Sequence, residues 1–140
     1  CDYGMTRWLW DVQGPDAQRL PPPDAAAYIA PERLAGELTP PGDVYAFGVL
    51  LYEMAVGHVP ARGTPGGGGG VLAGAPLSPA WPPAEEVPEG LRPLCERCWA
   101  ERPSLRPSFT QITSELQRLE DIIRSKLRAT GGGSLTSSAT

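Results

Sequence analysis

Cys95 and Cys98 stand at the C-x-x-C spacing that is found in metal-binding and redox sites. A structural zinc site takes four ligands, whereas the third cysteine, Cys1, and the sole histidine, His58, lie far from this pair in the sequence. The pattern therefore favours two unpaired thiols on a helix in a reducing compartment. Zinc binding is the less favoured alternative.

The predicted secondary structure is arranged around one apolar stretch, residues 42–57. From Val44 to Val56 every residue except Gly48 and Glu53 is apolar, so a helix here would be apolar almost all round and belongs inside a protein. It is too short for a bilayer, which takes about 20 apolar residues. We therefore expect the central helix of a core at about residues 42–57.

The composition allows one domain with long connections. The 140 residues carry a net charge of −4, and 41% of them are hydrophobic. Glycine and proline number 17 each, and they concentrate in residues 60–88, where any helix should be short, displaced or absent. The acidic balance argues against a nucleic-acid partner, and no signal peptide or membrane-spanning run is visible.

Short helical signals precede the central helix. Residues 28–34 favour a single helical turn with Pro31 near its start. Asp43 is placed to cap or buttress the central helix.

The terminal helices are expected at about residues 89–127. In the last of them Ser108 and Gln111 form a capping-box pattern, and apolar residues recur at helical spacing up to Leu127, so that one face should pack. Residues 128–140 are mostly Gly, Ser and Thr, which predicts a disordered tail.

Four elements, in this order, resemble the carboxy-terminal lobe of a protein kinase domain. They are Asp-Tyr-Gly at 2–4 for D-F-G, Ala-Pro-Glu at 30–32 for A-P-E, the start of the central helix at 43–48, and the pair Cys-Trp at 98–99 with Arg-Pro-Ser-Phe at 106–109. The last pair is similar to the tyrosine kinase and tyrosine-kinase-like groups, the second being mostly serine/threonine-specific. The resemblance covers residues 1–127 and implies a mainly α fold, an incomplete helical lobe without the amino-terminal lobe and catalytic loop.

The resemblance implies a nucleotide-side role for the first residues. Residues 2–32 would be the activation segment, and Asp2 would be a Mg²⁺ ligand, because the Asp of D-F-G holds the metal ions that bridge the ATP phosphates. Gly4 would supply hinge freedom after it. A plain Asp-x-Gly turn is the alternative. Thr6, the only hydroxyl side chain between residues 5 and 27, is a candidate phosphorylation site.

The resemblance also implies which residues lie beside the protein substrate. The substrate platform would include Ala25, Tyr28 and Ile29. Where the family commonly has Gly-Thr, this chain has Asp-Ala at 24–25, without the hydroxyl that usually touches the catalytic loop.

The structural residues implied by the resemblance are Glu32, Arg106, Asp43 and Trp99. Glu32 should pair with Arg106, whose planar guanidinium suits bidentate contact with a carboxylate. Asp43 would brace the backbone of a catalytic loop from below.

Several residues that the chemistry needs are absent from the sequence. Lys126 is the only lysine, there is no asparagine, and the chain does not begin with methionine. The glycine block at 66–70 is a low-complexity run, in the wrong place for a phosphate loop. We therefore expect a missing upstream part, and no phosphoryl transfer by these residues alone.

Two classes of function stay open. One is a kinase parent, in the cytoplasm or on the cytoplasmic side of a larger receptor, that uses ATP and Mg²⁺ on protein substrates, at serine or threonine before tyrosine. The other is a regulatory or binding module, either a pseudokinase or the kinase-like domain of a guanylate cyclase; the Ala at 25 and the altered segment at 60–88 favour it. Since the central helix would lack part of its cover, the isolated chain is expected to be molten or to associate.

Overall fold

The computed structural model describes residues 26–34, 36–37, 39–63 and 75–131. The elements of this part are α1 (Pro31–Leu34), α2 (Pro40–Val56), β1 (Ala61–Arg62), β2 (Leu77–Ser78), α3 (Leu91–Cys98), a 3₁₀ helix (Pro103–Leu105) and α4 (Phe109–Gly131). The described part is thus mainly helical, as the sequence predicts. None of its helices combines the length and the apolar character needed to cross a membrane.

Helix α2 begins at Pro40, two residues before its predicted start. Prolines fit the first turn of a helix, where the N–H groups have no helical partner. Asp43 therefore lies within the first turn rather than at the cap, which is Thr39 in an extended conformation. The helix ends at Val56, and the next residue, Gly57, has a positive φ of 87° and caps it by donating its N–H to the Glu53 carbonyl over 2.7 Å.

One face of α2 is buried and the other is not. Val49 and Tyr52 are fully buried, whereas Leu50 is 41% and Met54 68% exposed. Among the described residues the chief neighbour of α2 is α3, which covers only one side of it. The two exposed apolar side chains agree with the expected lack of cover.

Two groups of buried side chains form the core. The larger joins α2, α3 and α4 and comprises Val44, Leu51, Tyr52, Leu94, Cys95, Cys98 and Ile112. The smaller comprises Ala27, Ala30, Tyr45 and Val49. Helices α2 and α3 meet at Gly48, where a Cβ would lie 2.5 Å from the Cβ of Cys98. Only glycine permits this approach.

Helix α4 starts with the predicted capping box. The backbone N–H of Ser108 donates to Gln111 Oε1 over 2.8 Å, and the N–H of Gln111 donates to Ser108 Oγ over 3.3 Å. The helix continues to Gly131, four residues beyond its predicted end at 127. Arg and Ala at 128–129 favour helix, and the hydroxyl of Thr130 donates to the Lys126 carbonyl over 2.7 Å.

The apolar face of α4 is covered at Ile112 and Leu119 but not at its two ends. Ile112 and Leu119 are buried, but Phe109, Ile123 and Leu127 are 46%, 39% and 68% exposed. The expectation that the whole face packs is therefore wrong. Its second half borders a cavity of about 770 Å³ shared with residues 81–92.

Strands β1 and β2 form a short antiparallel hairpin. Ala61 pairs with Ser78 and Arg62 with Leu77, and the N–H of Gly63 donates to the Pro76 carbonyl over 3.1 Å. In the described parts of residues 60–88 there is no helix. The hairpin brings residue 62 beside the turn that precedes α1.

Candidate functional site: the Ala-Pro-Glu turn and its arginines

The structure divides the predicted site residues into two sets. Asp2, Gly4, Thr6 and Ala25 lie outside the described residues. The other two residues of the candidate substrate platform, Tyr28 and Ile29, and the structural residues are described. Among the described residues no group of three or more His, Cys, Asp or Glu side chains could hold a metal ion.

Glu32 and Arg106, 74 residues apart in sequence, form a two-pronged ion pair. Arg106 Nη1 lies 2.5 Å from Glu32 Oε1, and Nη2 lies 2.9 Å from Oε2. The Arg106 side chain is fully buried and that of Glu32 is 8% exposed. The hydrogen bonds from Arg106 lower the pKa of Glu32, so Glu32 is ionised at neutral pH. The structure thus contains the pair that the resemblance implies.

The remaining donors of Arg106 bind backbone carbonyls. Nε donates to Ala100 over 2.8 Å, Nη1 to Pro41 over 2.9 Å and Nη2 to Glu101 over 3.3 Å. Every nitrogen of this buried guanidinium therefore has a partner, as burial of a charge requires. Arg106 joins α1, the first turn of α2 and the segment after α3.

Asp43 lies in a different contact from the one that the resemblance implies. Its Oδ1 accepts a hydrogen bond from Arg33 Nη2 at 2.7 Å, and both side chains are partly exposed, by 45% and 25%. This pair ties α1 to the first turn of α2. A brace between Asp43 and a catalytic loop stays a prediction.

Tyr28 and Ile29 lead into α1. The Tyr28 hydroxyl donates to Glu53 Oε2, which gives the one acidic residue in the apolar run of α2 a partner. The N–H of Ile29 donates to the Ala26 carbonyl over 3.2 Å. Ala27 and Ala30 are buried around them, so this backbone rests directly on α2.

Arg62 is a second arginine that holds this turn, and it was not identified from the sequence. Its guanidinium donates to the backbone carbonyls of Ala26, Ala27 and Ile29, to that of Ala75 and to the Tyr45 hydroxyl. The one available signal is that Arg62 is the only cationic residue between residues 34 and 91. A lone cation in a Gly/Pro-rich segment does not reveal its partner.

Tyr45 lies between the two arginines. The guanidinium carbon of Arg106 is 5.1 Å from the centre of the Tyr45 ring, and that of Arg62 is 5.7 Å away. Burial raises the pKa of Tyr45, so its hydroxyl stays protonated at neutral pH. The Tyr45 ring therefore contacts both arginines that hold the turn, Arg106 and Arg62.

Trp99 belongs to an aromatic cluster at the meeting point of both core groups. The centre of the Tyr52 ring lies 4.8 Å from Trp81 and 5.8 Å from Trp99. The Tyr52 hydroxyl donates to the Ala80 carbonyl over 3.1 Å and accepts from its N–H at 3.0 Å. Sequence reasoning did not single out Tyr52 or Trp81, whose partners are distant in the chain.

Cys95 and Cys98 are unpaired thiols inside the core. Burial raises the pKa of Cys95 to about 12 and that of Cys98 to about 11. Both are neutral at pH 7, whereas metal ligation and nucleophilic chemistry need the thiolate. Their geometry is that of packing residues against Gly48.

Comparison with known proteins identifies the class. Residues 1–116 match the family model described as protein tyrosine and serine/threonine kinase. The chain belongs to this family, which confirms the resemblance carried by its four sequence elements. The paired Glu32 and Arg106 lie within the matched residues.

Individual relatives agree with this family. Dual specificity protein kinase pyk3 of Dictyostelium discoideum is 42% identical over 79 residues, 56% of this chain and 6% of that protein. Serine/threonine/tyrosine-protein kinase HT1 of Arabidopsis thaliana is 32% identical over 119 residues, 78% of this chain and 28% of that protein. Insulin receptor-related protein of Cavia porcellus is 33% identical over 128 residues, 84% of this chain and 9% of that protein. The chain spans less than a third of the length of each of them.

Proposed function

We propose that this chain is part of a protein kinase that transfers the γ-phosphate of ATP to serine or threonine of protein substrates, with tyrosine as the second choice. The observation that carries the proposal is the buried two-pronged pair of Glu32 and Arg106, which fixes the Ala-Pro-Glu turn on the helical core. Phosphoryl transfer depends mainly on positioning. A turn held this rigidly suits the presentation of a substrate segment.

Within this proposal the residues have distinct roles. Asp2 is the Mg²⁺ ligand and Gly4 the hinge beside it, assigned from the family motif alone because both lie outside the described residues. ATP with Mg²⁺ supplies the phosphoryl group and neutralises its charge. Tyr28 and Ile29 form the protein-substrate side. The lysine and asparagine of the nucleotide site come from sequence beyond these 140 residues, since the only lysine is Lys126 and there is no asparagine.

The second candidate is a regulatory kinase-like module, of the pseudokinase or guanylate-cyclase type. Ala25, in place of the usual threonine, favours it, because the hydroxyl that touches the catalytic loop is missing. Either function would be exerted in the cytoplasm or on the cytoplasmic side of a membrane receptor. The 140 residues alone are expected to be inactive.

The test uses the full-length protein with γ-labelled ATP, Mg²⁺ and a serine/threonine/tyrosine peptide library. We expect transfer to peptides, loss of at least about 100-fold of it in Asp2→Asn, and unchanged transfer in the matched control Asp121→Asn, an exposed residue of α4. Transfer that survives Asp2→Asn would remove the metal-ligand role. No transfer by the unaltered protein would leave the regulatory module as the function.

A further inference from the structure

A single guanidinium holds the backbone of the turn that precedes α1. Arg62 Nε donates to the Ala26 carbonyl over 3.0 Å, and Nη2 donates to the carbonyls of Ala27, over 3.4 Å, and Ile29. Ala26 and Ala27 have helical conformation and the helix stops there. The last carbonyls of a helix lack intrahelical donors, and a basic side chain can supply them.

Two of these three carbonyls, those of Ala26 and Ala27, belong to buried residues. Ala26 is 8% and Ala27 1% exposed. A buried carbonyl without a partner costs about 1–3 kcal/mol. Arg62 supplies a donor to the Ala27 carbonyl and a second donor to the Ala26 carbonyl, which also accepts from the Ile29 N–H. Loss of Arg62 therefore removes stabilisation from this buried backbone. Arg62 is the only residue between 34 and 91 whose side chain carries a positive charge at every physiological pH.

The same guanidinium is attached to two other elements. Nη1 donates to the Ala75 carbonyl beside β2 over 3.0 Å, and Nη2 donates to the Tyr45 hydroxyl of α2 over 3.1 Å. Arg62 itself is paired with Leu77 across the hairpin. The residue that fixes the turn is therefore fixed by the hairpin and by the central helix.

We propose that Arg62 is a positioning residue for the protein substrate, which rests on the proposed kinase function. Arg106 fixes the end of the turn at Glu32, and Arg62 fixes its beginning at 26–29. The backbone between the two anchors is the part that a substrate segment would meet. Loss of Arg62 frees the beginning of the turn and leaves the ion pair at its end in place.

The test compares Arg62→Ala and Arg62→Lys with the unaltered full-length protein. Arg124→Ala is the matched control, since Arg124 is 60% exposed and pairs only with Glu120 among the described residues. We expect Arg62→Ala to raise the KM for a peptide substrate at least about tenfold, because a small misplacement of a positioning group is costly. The KM for ATP should change less than about twofold. Arg62→Lys should recover part of the loss, because an ammonium reaches fewer of the carbonyls.

Hydrogen exchange gives a second readout that needs no activity. The N–H groups of Ile29 and Arg33 donate to Ala26 and Ala30 inside the turn. In Arg62→Ala we expect the Ile29 amide to exchange at least about tenfold faster and the Arg33 amide, nearer Glu32, to change less. The Arg124→Ala control should change neither.

Each outcome bears on the proposal. An unchanged peptide KM, or equal changes in both KM values and in thermal stability, would overturn it. If Arg62→Ala does not fold, the peptide KM of Arg62→Lys decides in the same way. If the unaltered protein transfers no phosphate, the kinase function fails, and the exchange of the Ile29 amide alone decides whether Arg62 positions the turn.

Discussion

The ion pair of Glu32 and Arg106 predicts that the substitution Arg106→Met lowers the unfolding free energy of the full-length protein. The substitution keeps much of the side-chain volume but leaves the Glu32 carboxylate, 8% exposed, without its cation. Of the other acceptors, Ala100 and Glu101 are not buried and can turn to water. The loss of unfolding free energy is therefore determined mainly by the buried Glu32 carboxylate that has no cation beside it.

Removing one partner of a buried ion pair costs about 3–5 kcal/mol. The total stability of a domain is typically about 5–15 kcal/mol, so this loss should lower the urea midpoint measurably. Unfolding can be followed by tryptophan fluorescence, because Trp81 and Trp99 pack against the core. The matched control is Arg124→Met, whose partner Glu120 is 64% exposed. It should cost less than about 0.5 kcal/mol.

The dependence on pH follows from the lowered pKa of Glu32. A carboxyl whose pKa is lower in the folded state contributes stability above its unfolded value, 4.5, and this contribution is lost as the pH falls through the folded value. Without Arg106, burial raises the pKa of Glu32 instead. The difference in unfolding free energy between the unaltered protein and Arg106→Met should therefore shrink as the pH falls from the raised pKa of Glu32 in the variant to its lowered pKa in the unaltered protein.

Two results would refute this reasoning. One is a loss no larger than that of Arg124→Met, which would mean that water reaches the carboxylate. The other is a difference that stays constant between pH 7 and the lowest pH at which the protein folds. Arg106→Lys separates charge from geometry, because it keeps one cation but cannot make the two-pronged contact.

Three further predictions concern the core and the exposed faces. Gly48→Ala should destabilise the protein by about 1–3 kcal/mol in urea unfolding, because its Cβ would lie 2.5 Å from that of Cys98; an unchanged midpoint would mean that α2 and α3 separate freely. At pH 8 Cys95, with a pKa of about 12 against the ordinary 9.0, should react with iodoacetamide roughly 1000-fold more slowly in the folded protein than in urea; equal rates would contradict its burial. In the isolated 140 residues, the double substitution Leu50→Ser and Met54→Ser should reduce the self-association measured by sedimentation velocity, because both side chains are exposed apolar groups on α2. Unchanged association would mean that the chains associate through another surface.

The sequence predicts the helices better than it predicts their contacts. The start of α4 is readable because Ser108 and Gln111 are three residues apart and satisfy each other. The existence of α2 follows from an apolar run, but which side of it is covered depends on α3, which the run does not encode. Leu50 and Met54 look as apolar as Val49 and are nevertheless exposed.

The candidate site shows the same limit. The pairing of Glu32 with Arg106 could be expected only through family resemblance, since nothing local connects residues 74 positions apart. Arg62 could not be found, because most of its partners are backbone carbonyls, which every residue carries. Helix α4 extends past 127 because Arg128 and Ala129 favour helix, whereas the composition of residues 128–140 taken together favours a tail.

The short hairpin has a consequence for how this chain can change in length. Both ends of residues 63–76 are held together by the pairing of Arg62 with Leu77 and by the bonds of Arg62 to neighbouring backbone. Closing a loop costs only about 0.6 kcal/mol more for each doubling of its length. An epitope or a small reporter domain inserted between Gly63 and Pro76 would therefore add length between two fixed points without moving the turn that Arg62 holds.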